Sequence, residues 1–197
     1  MITYTDAVGT RMILPFHRLT YVAVCLLLLQ PCGGSEPSPL LPSRVGDFSL
    51  PSTRGSAVSL SRDPSVKFHV LCFLGTECPL ARIYGPRLQQ MSAELADRGV
   101  EFIGINSNVQ DSMEELKQYA SQHSIRFPVA KDYGCQVALQ VGATRTPEVF
   151  VVDRAGEIRY QGRIDDQYQP GLARSTAKKH DLRDAIEKLL AGGTVGT

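Results

Sequence analysis

The stretch VKFHVLCFLGTECPLARIYGPRL, residues 66–88, decides the fold of this chain. Its first part, Val66 to Leu74, is a dense apolar run with aromatic and β-branched residues, which predicts a buried strand. From Pro79 to Arg98 the apolar positions fall at Leu80, Tyr84, Leu88, Met91 and Leu95. Spacings of three and four put them on one face of a helix. Gly99 stands where a helix C-terminus favours glycine. The junction reads Gly75-Thr76-Glu77-Cys78-Pro79. Pro79 suits the first helical turn, where its missing N–H is no loss. Cys78 is therefore expected at the N-terminus of a helix that follows a buried strand.

Working outward toward the C-terminus, Val100 to Ile105 (VEFIGI) is the next strand. Asp111 or Ser112 can cap a helix containing Met113, Leu116 and Ala120, with Glu114 and Glu115 in its first turn. Phe127 to Ala130 reads as a short strand, and Tyr133 to Val141 as a short helix ended by Gly142. Glu148 to Val152 and Glu157 to Gln161 flank Asp153-Arg154-Ala155-Gly156, the pattern of a β-hairpin. Leu182, Ile186 and Leu189 stripe a C-terminal helix. Strands separated by helices pair in parallel through crossovers, and a tight hairpin pairs antiparallel. The expected architecture is α/β, a central mixed β-sheet flanked by helices. The run Gly162 to Asp166 (GRIDD) lies past the hairpin, where it lines the site or caps a turn.

Toward the N-terminus, Leu19 to Leu29 (LTYVAVCLLLL) carries no charge and follows Arg11, His17 and Arg18. A basic start and about a dozen apolar residues make the pattern of a signal peptide. The run is shorter than the ~20 residues that cross a bilayer comfortably. Gln30 to Ser43 is rich in Pro, Gly and Ser, as linkers are. Residues 1–42 are read as a signal peptide or membrane anchor plus linker, and residues 43–197 as one domain. Cys32 is a candidate for lipid attachment, although Pro31 departs from the usual lipobox. The expected location is exported, periplasmic or cell-envelope associated; whether the N-terminal segment is cleaved, lipidated or kept as a membrane anchor stays open at this point. Outside the cytoplasm disulfides can persist.

Composition limits the chemistry. Of 197 residues, 21 are Lys or Arg and 20 are Asp or Glu, a net charge of +1. Removing the leader leaves that balance unchanged. Nothing in it points to nucleic acid. Five cysteines are too few for a disulfide-built scaffold. Cys25 and Cys32 belong to the leader. Cys72 is expected to be an inert strand residue. Cys78 is the candidate catalytic residue, because a helix N-terminus favours the thiolate form. Glu77 would oppose this if its side chain faced the sulfur. Cys135 is the candidate resolving residue for an oxidised Cys78, provided the two Cα atoms come within about 7 Å. The histidines (His17, His69, His123, His180) have no ligand spacing, so no metal is expected. There is no phosphate-cradling loop, so no cofactor is expected either. Arg145-Thr146-Pro147-Glu148 immediately precedes a strand, a place where a cis proline is common.

Taken together, VGDFSLPSTRG (45–55), FLGTECPLARIYGPRL (73–88), VEFIGINSN (100–108), TPEVFVVD (146–153) and YQGRIDD (160–166) resemble a known family. It is the thioredoxin-like redoxins of the alkyl hydroperoxide reductase and thiol-specific antioxidant group, in particular their bacterial peroxiredoxin-like branch. The resemblance implies a thioredoxin-like fold, with cis-Pro147 packed against Cys78. It implies thiol–disulfide exchange or peroxide reduction. Thr76, Pro79, Arg145, Thr146 and Pro147 would support the thiol. The partners would be a protein disulfide, an external thiol reductant or a peroxide. The chain departs from both active-site patterns of that group. The second cysteine of C-x-x-C is replaced by Ala81, and the residue four after Cys78, where copper-binding relatives have cysteine, is Arg82. The pattern P-x-x-x-[TS]-x-x-C finds Leu71 and Gly75 in place of its proline and its Thr or Ser. A non-catalytic polypeptide-binding module and a peroxide sensor are the alternatives to an enzyme.

Overall fold

The computed structural model describes residues 43–169 and 171–195. The leader expected over residues 1–42, with Cys25 and Cys32, lies outside the described residues. Among the described residues no helix is long and apolar enough to cross a membrane.

In chain order the elements are β1 (Leu50–Pro51), β2 (Ala57–Val58), β3 (Phe68–Phe73), α1 (Pro79–Leu95), β4 (Val100–Asn106), α2 (Met113–Gln122) and β5 (Val129–Lys131). They continue as α3 (Gln136–Val141), β6 (Glu148–Asp153), β7 (Ile158–Gly162), β8 (Tyr168–Gln169), β9 (Leu172–Ala173) and α4 (Asp181–Leu190). Five strands form one mixed sheet in the order β5-β4-β3-β6-β7. β3 pairs parallel with β4, and β4 with β5. β6 runs antiparallel to both β3 and β7. Helices α1 and α2 return the chain for the parallel pairs, and the tight turn makes β6–β7 antiparallel. β6, reached through α3, departs from the sequence expectation by entering the sheet antiparallel to β3.

Strand periodicity of two sorts the core into two layers. Val70 and Cys72 of β3, Phe102 of β4, and Val149 and Val151 of β6 face α1, α2 and α4. Leu71, Phe73, Ile103, Ile105, Phe150 and Val152 face α3 and the N-terminal segment around Val45 and Leu50. Helices therefore cover both faces, as expected.

The differences from the sequence reading lie at element ends and in short pairs. α1 gives way to a 3-10 turn over Ala96–Arg98, and Gly99, at φ 80°, closes it. A side chain at Gly99 would place its Cβ 2.4 Å from the Ser65 carbonyl oxygen. The helix expected from Tyr133 begins only at Gln136. Gly134 and Cys135 have φ 80° and 57°, outside the helical region, and turn the chain first. The Asp132 carboxylate then accepts the amides of Val137 and Ala138, both at 3.1 Å. The hairpins β1–β2 and β8–β9 are two residues per strand, too short for a period to show in sequence.

Candidate active site

Cys78 is the N-cap of α1, and Pro79 opens the helix. The strand–helix junction thus lies where the sequence places it. Cys78 is half-buried, and its Sγ donates to the Thr146 carbonyl oxygen at 3.2 Å. The Thr146–Pro147 peptide is cis. β3 and β6 are adjacent and antiparallel, with Phe73 opposite Glu148. The end of β3 and the start of β6 therefore meet at one end of the central strands, bringing together residues 68 positions apart in sequence.

The proline loop is tied down from inside. Glu148 is buried and its carboxylate accepts the Thr144 amide at 2.9 Å and the Gln161 side-chain amide at 3.2 Å. Arg145 reaches it only at 4.0 Å and its side chain stays 67% exposed. Glu77 does not face the sulfur. It pairs with Arg82 at 2.9 Å, and Arg82 Nε also donates to the Thr76 carbonyl at 2.8 Å.

Behind Cys78 lies a buried polar network that the sequence reading missed. One Asp111 carboxylate oxygen accepts the Thr76 amide at 3.0 Å and the side-chain amides of Asn106 and Asn108 at 2.6 and 3.1 Å. Asn106 also donates to the Leu74 carbonyl at 2.9 Å. Lys131, 2% exposed, donates to Asn106 Oδ1 at 2.8 Å and to the Asn108 carbonyl. Burial pushes the Asp111 carboxyl up, but the hydrogen bonds from Thr76, Asn106 and Asn108 outweigh it and hold it below the usual carboxylate range. Asp111 therefore fixes the loop that carries Cys78, while Ser112 alone caps α2, in a capping box with Glu115. The available signal was the pair Asp111-Ser112, two capping residues where one helix needs one.

The same network explains Gly75, which stands where the peroxiredoxin pattern has Thr or Ser. A Cβ there would lie 2.6 Å from Asn108 Nδ2 and 3.3 Å from Thr146 Oγ1. A larger side chain has no room unless Asn108 lets go of Asp111.

Cys72 is fully buried in β3, and burial pushes its thiol far up, out of reach of chemistry. Cys135 is a free thiol whose Sγ donates to the Ser107 carbonyl at 3.2 Å. It packs with the core layer of α3, whereas Cys78 packs with the layer of α1. The structure thus brings Cys78, Pro79, Thr146 and Pro147 together, sets Arg145 at the rim and Thr76 on Asp111, and holds Cys135 on the other layer. The GRIDD run also has a role. Asp165 accepts hydrogen bonds from Tyr84 Oη, Arg87 at 3.1 Å and the Gln167 amide at 2.9 Å, so it fastens the segment after β7 to α1.

The model of the AhpC/TSA family matches residues 43–161. The thiol:disulfide interchange protein DsbE of Pseudomonas aeruginosa is 30% identical over 154 residues, covering 76% of this chain and 82% of that protein. The thiol-disulfide oxidoreductase ResA of Bacillus thuringiensis is 24% identical over 153 residues, covering 72% and 86%. A hypothetical protein from Sinorhizobium meliloti superposes with a TM-score of 0.71 at 29% identity, covering 80% of this chain and 87% of that one. With the family's model spanning the described sheet and its thiol-bearing junction, this chain belongs to the AhpC/TSA family, thioredoxin-like redoxins that are oxidoreductases by class.

Proposed function

We propose that this protein exchanges thiols with protein disulfides outside the cytoplasm, with Cys78 as its single nucleophile. The observation that carries the reading is the placement of Cys78 at the α1 N-terminus against the Thr146 carbonyl of the cis-proline loop. The thiolate of Cys78 attacks one sulfur of the substrate disulfide. The Cys78–substrate bond forms as the substrate's own S–S bond breaks, and the leaving thiolate takes up the proton that Cys78 gave up. An external thiolate then attacks the substrate sulfur of the mixed disulfide; its bond to that sulfur forms as the bond to Cys78 breaks, and Cys78 is released. Names of relatives such as DsbE and ResA support exchange. Gly75 in the peroxiredoxin Thr position, and the engagement of Thr76 by Asp111, support exchange over peroxide reduction. The apolar run 19–29 and the linker after it support export.

The test is to treat the reduced protein with hydroxyethyl disulfide and read the adduct by mass. One adduct per chain at Cys78, absent in Cys78→Ser, is expected. No adduct at Cys78 would favour the non-catalytic binding module, and an undiminished rate in Cys78→Ser would move the reaction to another thiol. Adduct-free conversion of Cys78 to a sulfenic acid by peroxide would favour the sensor.

A further inference from the structure

Beside the thiol lies a cavity of about 460 Å³ that exchange chemistry alone does not use. Its apolar walls are Leu80, Tyr84, Pro147, Ile164 and Tyr168. Leu80 is two residues past Cys78 on α1, and Thr146, which accepts the Cys78 thiol, forms the near edge. The far wall is the segment after β7, and it is built rather than loose. Asp165 is bound to Tyr84 and Arg87. Asp166 accepts the amides of Lys178 and Lys179 at 2.6 and 2.9 Å. Gln167 Nε2 donates to the carbonyls of Arg174 and Ser175, each at 3.1 Å. Tyr168 stacks edge-on against Tyr84 with ring centroids 5.8 Å apart.

The charges at the mouth are unequal. The Asp165 carboxylate is taken by Arg87, and Arg163 Nε by Asp181 at 2.6 Å. Arg145 is exposed and has Glu148 only at 4.0 Å, with that carboxylate already accepting two other donors. Among the described residues the cavity therefore offers an apolar interior and, in Arg145, one under-compensated cation at its rim. A multiply charged small disulfide would need cations on both sides. One apolar side chain with a carboxylate next to it needs only what is present.

Resting on the exchange reading, we propose that this cavity reads the substrate polypeptide next to its reacting cysteine. An aromatic or large aliphatic side chain enters between Leu80, Pro147, Ile164 and Tyr168, and a neighbouring acidic residue meets Arg145. Arg145 and Tyr168 are then specificity residues, and the GRIDD segment is the device that holds the pocket in place.

The test uses the reduced full-length chain and short peptides whose single cysteine is blocked as a mixed disulfide with thionitrobenzoate. Cys78 bonds to the peptide sulfur, the blocked S–S bond breaks, and thionitrobenzoate leaves with the electron pair and is read by absorbance. Phe-Cys-Glu is expected to react roughly tenfold faster than Gly-Cys-Glu, the range an apolar pocket discriminates. It is expected to react about threefold faster than Phe-Cys-Lys, as one exposed ion pair allows. Arg145→Glu reverses the Glu/Lys ratio, and Tyr168→Ala shrinks the Phe/Gly ratio; Leu80→Ala serves if Tyr168→Ala does not fold. Equal rates for all peptides, with hydroxyethyl disulfide still reacting, overturn the pocket and leave exchange standing. Oxidised glutathione reacting faster than Phe-Cys-Glu overturns it in favour of a small anionic disulfide. No reaction with any disulfide overturns both.

Discussion

At the scale of single residues, Asp111 is the group on which the thiol's surroundings depend. Its carboxylate satisfies three donors, so Asp111→Ala leaves the buried Thr76 amide without an acceptor. A buried unsatisfied donor costs about 1–3 kcal/mol, and denaturant unfolding of Asp111→Ala should fall by that amount. Gly75→Thr, which restores the peroxiredoxin residue, should slow modification of Cys78 and destabilise the protein, because its Cβ displaces Asn108. Gain of peroxidase turnover in Gly75→Thr would contradict this. His69 sets a pH dependence. It is buried, its Nε2 accepts the Ser61 amide at 2.9 Å, and burial lowers its pKa from 6.5. The imidazole is therefore neutral, and its approach to Glu101 at 3.6 Å is not an ion pair. A depressed folded-state value means the unfolded chain binds the proton first. Stability from His69 is present above about pH 6.5, the unfolded value, and is lost as pH falls toward the folded-state value. Thermal melts should show wild type losing stability below that pH more steeply than His69→Gln.

At the scale of elements, the helices follow local rules that the sequence displays. Ser112 and Glu115 close a full capping box on α2, so Ser112→Ala should cost about 1 kcal/mol by denaturant unfolding. Pro86 sits inside α1, yet the helix runs on to Leu95. Packing overrides the local penalty there: Tyr84, Leu88, Met91 and Leu95 are buried on one face, and Gly85 lets Ile125 and Tyr119 approach to 3.2 and 3.4 Å of where a Cβ would be. The strands were legible for the opposite reason. Val149-Phe150-Val151-Val152 is buried on both faces and so reads as an unbroken apolar run. The start of α3 was not legible, because the left-handed Gly134-Cys135 turn and its Asp132 cap depend on Ser107 from the neighbouring strand loop.

At the scale of the whole molecule, the sheet separates the two half-buried thiols into different core layers. Exchange through Cys78 alone then predicts that Cys135→Ser keeps the wild-type rate with hydroxyethyl disulfide under excess external thiol; a rate loss of about tenfold or more would restore Cys135 as the resolving residue. Residues 66–88 by themselves determine a buried strand, a helix with an apolar face and a cysteine at their junction. Those are properties of spacing and capping, read within one or two turns of chain. Pro147 before a strand was visible for the same reason. Only the tertiary structure decided what surrounds the sulfur. Thr76 meets Asp111 across 35 residues, Cys78 meets Thr146 across 68, and Tyr84 meets Asp165 across 81. Such meetings follow from strand order and register, which place distant loops at one end of the central strands, and no local period encodes them.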